Sequence, residues 1–239
     1  MRFIILLSCV LFANVKSAQI NFNKLKNVAA KAKEHISTKD LTQEEVVEGL
    51  KEALILGTNN STAEASKIGG FNNNLSIRIL FPEDAEKMKK ALVKLGMQSQ
   101  IDKFEFTINE AAEDASNFAK EIFLNAVKAM TINDAMSVLE GDDNAATIYF
   151  KKRTSQLLYA KFKPIIKSSI DKVNLTKHWQ TLILRYNAIP FTQEVNTDLA
   201  DYVTNETIEG LFILIAKEEM NIRKNPKARV TDILQKVFK

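Results

Sequence analysis

The sequence predicts an all-α protein: an irregular multi-helix bundle of about nine or ten helices with one extended crossing segment near 75–81. Three observations predict it. Apolar residues recur at three- and four-residue steps through most of the chain, the mark of helices that bury one face. Capping residues stand at the heads of several of these stretches. Period-two alternation, the mark of a strand, stands out once, where Leu75, Ile77, Ile79 and Phe81 alternate with Ser76, Arg78 and Leu80. A lone strand has no partner, so this stretch reads as a crossing segment or, at most, a minor hairpin.

Residues 1–18 have the order of a secretory signal: Arg2, an apolar run from Phe3 to Val15 broken only by Ser8 and Asn14, then small Ser17 and Ala18. Cleavage after Ser17 places Val15 and Ser17 where the peptidase reads them; cleavage after Ala18 places Lys16 there, a poorer fit. The run is shorter than the roughly 20 residues a bilayer span needs, and no later segment supplies a transmembrane helix for the mature chain. The expected organisation is a signal peptide at 1–18 and a single helical domain at 19–239, exported to the periplasm. Leu6-Leu7-Ser8-Cys9 offers an alternative, a lipoprotein anchored through Cys9, although only six residues separate Arg2 from that cysteine. With Cys9 removed the chain has no cysteine, hence no disulfide and no thiolate chemistry.

The elements follow in order. Phe22, Leu25, Val28, Ala29, Ala32 and Ile36 predict a first helix with a basic outer face. Thr42-Gln43-Glu44-Glu45 is a capping box opening a helix that buries Val46, Val47, Leu50, Ala53 and Leu54. Gly69-Gly70 and three asparagines make a loop before the crossing segment. Pro82 opens the next helix, with Glu83 and Asp84 in its first turn and Gly96 just past its end. Ile108 to Met130 predicts one long scaffold helix, its apolar face packed and its other face carrying Asn109, Glu110, Glu113 and Asp114. Thr131 caps a short helix that Gly141 closes in a left-handed turn, and Asp142 or Asp143 caps the next. Pro164 kinks that helix or restarts it. Trp179 to Tyr186 marks another, ended before Pro190. After a polar linker at 192–197, Thr204 caps the most apolar helix, which Asn225-Pro226 stops. Thr231 caps a last one.

With 239 residues, 46% hydrophobic and 26% charged, the chain can bury a sizeable core. Its charge is +4, and removing Arg2 and Lys16 with the signal takes 33 basic residues to 31 against 29 acidic, too even a balance for a nucleic-acid partner. His35 and His178 are the two histidines, neither paired at helix spacing, which argues against a metal site, and neither a nucleophile elbow nor a phosphate-cradling glycine loop occurs. No cofactor is expected. The acidic turn Glu140 to Asn144 lacks the spacing of a calcium loop and reads as capping. Arg223, Lys224, Lys227 and Arg229 form the densest basic cluster; compensation of a helix dipole is the first reading, an anion site the second. Glu218 and Glu219 with Glu113 are candidate paired carboxylates.

Several separated segments share order and spacing with one family. Gly49 to Leu54, Gly70-Phe71 with Ile77-Arg78-Ile79 and Pro82, Asn109 to Glu113 through Met130-Thr131, Asp134-Ala135, Gly141-Asp142, Ala145 to Phe150, Gly210 to Phe212, Glu218-Glu219, Ile222-Arg223, Pro226, Arg229, Thr231-Asp232 and Val237-Phe238 together resemble the domain of unknown function 4197 family. The resemblance implies a helical, signal-bearing bacterial protein with no assigned reaction. It directs attention to Arg78, Glu113, Lys120, Asp142, Thr147, Tyr149, Arg223 and Arg229 as a candidate polar site. The expected function is non-catalytic binding of a small molecule, lipid or envelope protein. The alternatives are a hydrolase-type enzyme built from Glu113, Asp142, Tyr149 and Arg223, and a structural or assembly protein of the envelope. Oligomeric state cannot be read from the sequence.

Overall fold

The computed structural model describes residues 42–82, 85–94, 96–172, 179–180, 183–184, 186 and 198–237. The expected signal at 1–18 with Cys9, the expected first basic helix, Glu83, Asp84, both histidines and the expected linker at 192–197 lie outside the described residues.

Helix α1 (Gln43–Ser66) opens with the expected capping box: the Glu45 N–H donates to Thr42 Oγ1 at 3.2 Å and the Thr42 N–H donates to Glu45 Oε2 at 2.9 Å. It outruns its apolar stretch because small buried residues, Gly57, Thr58, Ser61, Thr62 and Ala65, continue the packed face. After the crossing segment, α2 (Glu86–Lys94) ends at Gly96, whose φ of +76° is the left-handed conformation that favours glycine.

The long scaffold helix is two helices, α3 (Gln98–Ser116) and α4 (Ala119–Lys128), broken at Asn117-Phe118. The break has a local cause. Asn117 Nδ2 donates back to the carbonyls of Glu113 and Asp114 at 3.3 and 3.2 Å, and the Phe118 N–H turns to the Ala115 carbonyl at 3.1 Å, so the regular ladder is interrupted without a proline. α5 (Ile132–Glu140) carries a second capping box, Thr131 with Asp134. Gly141 then departs from expectation: its φ of −79° is ordinary, and glycine is required instead because a Cβ would lie 2.7 Å from Ala145 Cβ and 2.8 Å from the Ser137 carbonyl.

α6 (Ala145–Lys172) runs through Pro164 as one helix, and α7 (Leu199–Lys224) starts five residues before the expected Thr204. Asp198 caps α7, accepting from the Asp201 N–H at 2.9 Å, whereas buried Thr204 donates to the Ala200 carbonyl at 2.6 Å. A 3₁₀ turn (Pro226–Ala228) and α8 (Asp232–Val237) close the chain. Among the described residues there are thus seven helices of nine residues or more and one of six, fewer than the nine or ten expected, and no strand. No helix among them is long and apolar enough to cross a membrane.

α7 is the central helix: it packs on α6, α1 and α3, and α6 packs in turn on α3 and α4. Ile208, Leu211, Phe212, Leu214 and Ile215 are buried along one broad face, while Ile213 of the same apolar run is 39% exposed, so the helix is not buried on every side. The core has two aromatic groups. Trp179 stacks on Phe104 with centroids 4.9 Å apart and meets Phe81 edge-on at 5.3 Å; Phe123 meets Phe150 edge-on at 5.3 Å. The described residues of the Trp179 stretch are helical, with Trp179, Ile183 and Tyr186 buried.

Candidate functional site

The crossing segment is held by side chains of α3. Buried carbonyls and N–H groups need partners, and a segment with no neighbouring strand must find them elsewhere. Glu105, Asn109 and Glu113 recur every four residues along one face of α3 and supply them. Asn109 acts as a one-residue strand, accepting from the Ile79 N–H at 2.9 Å and donating to the Ile79 carbonyl at 2.8 Å. Glu113 accepts from the N–H groups of Gly69, Phe71 and Asn72 at 3.0, 3.1 and 3.2 Å, and Glu105 accepts from the Phe81 N–H at 3.3 Å and from Lys89 Nζ at 2.8 Å. Arg78 reaches Glu105 at 3.4 Å. Asn109 and Glu113 are therefore buried, not part of a solvated face, while Glu110 and Asp114 beside them are exposed. Partial burial, with Glu113 and Asp114 as neighbours, raises the affinity of Glu110 for its proton.

A second polar centre joins three helix ends. The first turn of α6 has orphan N–H groups. Neither Asp142 nor Asp143 caps them with its side chain. Glu219 of α7 does, accepting from the N–H groups of Ala146 and Thr147 at 2.9 Å each and from Thr147 Oγ1 at 2.8 Å. Asp142 is exposed and contributes its carbonyl, which accepts from the Ala145 N–H at 3.0 Å. Asp143 pairs with Lys224 at 2.5 Å, and that hydrogen bond holds its carboxyl below the usual carboxylate range.

Glu219 is itself paired with Arg223, from Nε at 3.1 Å and Nη2 at 3.0 Å. Arg223 Nη2 also donates to the Val138 carbonyl at 2.8 Å and Nη1 to that of Leu139 at 3.5 Å, covering the open end of α5. Arg229 does the same for α7, donating to the carbonyls of Ile222 at 3.0 Å and Arg223 at 2.7 Å. The anion faces a helix N-terminus and the cations face C-termini, as the dipoles favour.

Of the eight residues read from the sequence, Thr147 and Arg223 meet on Glu219. Tyr149 donates to the Ala126 carbonyl at 3.1 Å, its phenol pushed up chiefly by burial. Lys120 is exposed on α4. No hydrogen bond or ion pair joins any two of Glu113, Asp142, Tyr149 and Arg223, whose partners lie on different elements. Lys151 and Arg153 make surface pairs with Glu209 at 2.9 Å and Asp134 at 3.5 Å. Among the described residues no group of three or more metal-ligating side chains converges.

Beside the Glu219–Arg223 pair lies an apolar slot between α1, α6 and α7. Ala53 and Thr58 of α1, Phe150 of α6, and Ile215, Glu219 and Ile222 of α7 line it, enclosing about 30 Å³ and, with its mouth, about 370 Å³ of free space. Thr58 is fully buried and its Oγ1 has no hydrogen-bond partner.

A family model described as protein of unknown function (DUF4197) matches residues 40–239. The chain belongs to the DUF4197 family. The match covers every described element of the fold, so the ladder on α3, the three-ended junction and the slot all lie within the DUF4197 region. Searches of curated proteins and of solved structures return no match.

Sequence reasoning missed Glu105 and gave Glu219 the wrong task. The signal for Glu105, Asn109 and Glu113 was their four-residue spacing set against a non-helical stretch with unmet N–H groups. For Glu219 no local signal exists, because its partners are 72 and 73 residues away.

Proposed function

We propose that this protein is an exported envelope protein that binds a ligand without transforming it, and that the ligand occupies the slot between α1, α6 and α7. The observation that carries this reading is the fully buried Thr58 hydroxyl, unpartnered in the wall of a mainly apolar cavity whose two charged residues, Glu219 and Arg223, are paired with each other. Buried polar groups in folded proteins are hydrogen-bonded, and an exception points to a partner that belongs there.

The hydrolase reading gains no support, since Glu113 and Arg223 are engaged in holding backbone and Glu113, Asp142, Tyr149 and Arg223 share no contact. The signal-like order of residues 1–18 supports export, and the even charge balance fits a ligand that is not a polyanion.

The test is native mass spectrometry of protein purified from cells expressing the full chain. The wild type is expected to carry an extra mass that denaturation releases. Ala53→Met, whose flexible side chain fills the slot, is expected to lose it. A clean polypeptide mass in both proteins, or an extra mass that Ala53→Met retains, contradicts the slot as the binding site.

A further inference from the structure

We propose that the slot selects an uncharged, largely apolar ligand bearing one hydroxyl- or carbonyl-type oxygen, which Thr58 holds. This rests on the reading of the slot as a ligand site and adds the chemistry of what enters it.

The two charges in the wall are already committed. A carboxylate offers about four lone-pair sites. Glu219 accepts five hydrogen bonds, from Ala146 N–H, Thr147 N–H, Thr147 Oγ1, Arg223 Nε and Arg223 Nη2. It has no capacity left for an ammonium group or a metal ion. Arg223 is balanced by Glu219, and of the three N–H groups that do not bond Glu219 one faces the Val138 carbonyl and one the Leu139 carbonyl. An anionic ligand would thus bring a charge with no counter-charge into a dry site, which burial penalises heavily.

Thr58 is different in kind from its neighbours. Buried Thr62, Thr107, Ser116, Thr154, Thr204 and Thr207 each donate to the carbonyl four residues earlier in their own helix, and Thr147 donates to Glu219. The equivalent acceptor for Thr58 is the Leu54 carbonyl, and Thr58 does not use it. Ser61 shares the exception, but it lines a separate groove with Leu214 and Glu218. A hydroxyl both donates and accepts. Thr58 therefore matches an alcohol or a carbonyl equally, and the apolar wall around it matches an alkyl chain. The slot encloses about 30 Å³ and offers Leu50, Leu54 and Ile215 as apolar wall for an alkyl chain beside Thr58.

The test is isothermal titration of the full chain with three probes of one length: 1-hexanol, hexanoate and hexylammonium. The expected result is saturable binding of hexanol, at least tenfold weaker binding of both ions, and a five- to thirtyfold loss of hexanol affinity in Thr58→Val. The ligand-free Thr58→Val protein is expected to melt no lower than wild type, because the change removes a hydroxyl that has no partner. Equal binding of hexanoate or hexylammonium, unchanged hexanol affinity in Thr58→Val, or no binding of any probe overturns the ligand class. The slot reading is judged separately, by whether the mass carried by the wild type is lost in Ala53→Met.

Discussion

Glu219 accepts five hydrogen bonds and Arg223 bridges it to the end of α5, so one ion pair closes two helix ends at once. Removing one partner of a buried pair leaves the other charged and uncompensated. Glu219→Gln is expected to lower unfolding free energy by about 3 kcal/mol, read from urea denaturation. Glu113 is the second such residue, and Glu113→Gln places an amide N–H₂ against backbone donors; a loss of about 2 kcal/mol is expected in the same measurement. Asp201 gives a pH-dependent case. Its hydrogen bond from Tyr159, then Lys163, holds its carboxyl below the usual carboxylate range, and Tyr159, Asp198 and Asp201 raise Lys163 above the usual lysine range. A lowered carboxylate stabilises the fold above its unfolded value of about 3.9, and that contribution is lost as pH falls through the folded value. The raised lysine contributes below about 10.4 and loses its contribution as pH rises through its own folded value. The stability difference between wild type and Asp201→Asn is therefore expected to be constant from about pH 5 to 9 and to shrink as pH falls below the unfolded value of about 3.9 and through the lower folded value. Thr147 and Arg223 were legible in the sequence as notable polar residues. Their shared carboxylate was not, because its distance along the chain gives no local pattern.

At the scale of elements, close approach decides which contacts are fragile. A Cβ at Gly210 of α7 would lie 2.8 Å from Phe71 Cε1 and 3.2 Å from Ile77 Cβ, so this glycine lets the loop and crossing segment seat against the central helix. Gly210→Val is expected to cost about 2 kcal/mol by overpacking, measured by the shift in melting temperature. α8 is attached differently. Leu234 packs with Ala53 and Ile222 in a cluster apart from the main core, and the Arg229 bonds to α7 lie just before it. Leu234→Ala is expected to raise hydrogen exchange of the 232–237 amides well before it alters exchange in α7. Capping boxes at Thr42 and Thr131 were readable because all their atoms lie within four residues. The break at Asn117 and the start of α7 at Asp198 rest on local side-chain bonds that apolar periodicity does not register, and the continuity of α6 through Pro164 runs against the proline's own preference, so none of the three was readable from the pattern.

For the whole molecule, apolar periodicity was sufficient to place an all-α chain, and the expected alternation holds from Ile77 onward, with Ile77, Ile79 and Phe81 buried and Leu80 exposed; Leu75 departs from it, 88% exposed, because 75–77 form a turn in which the Ile77 and Arg78 N–H groups donate to the Asn74 carbonyl. What periodicity cannot supply is which polar residues are drawn inside. Glu105, Asn109, Glu113 and Glu219 belong to polar faces by pattern and are buried because backbone elsewhere needs acceptors. Once these are assigned to structural work, five buried polar atoms among the described residues still lack a partner, Thr58 Oγ1, Asn59 Oδ1, Ser61 Oγ, Arg78 Nε and Trp179 Nε1, and of these residues Thr58 is the one that lines the slot. The most direct measurement is a crystal structure of the purified protein at a resolution that shows ordered solvent and ligands. The account predicts density for an apolar ligand in the slot, with an oxygen within hydrogen-bond distance of Thr58 Oγ1. A slot that is empty or holds only water, with the Thr58 hydroxyl turned onto the Leu54 carbonyl, would contradict it.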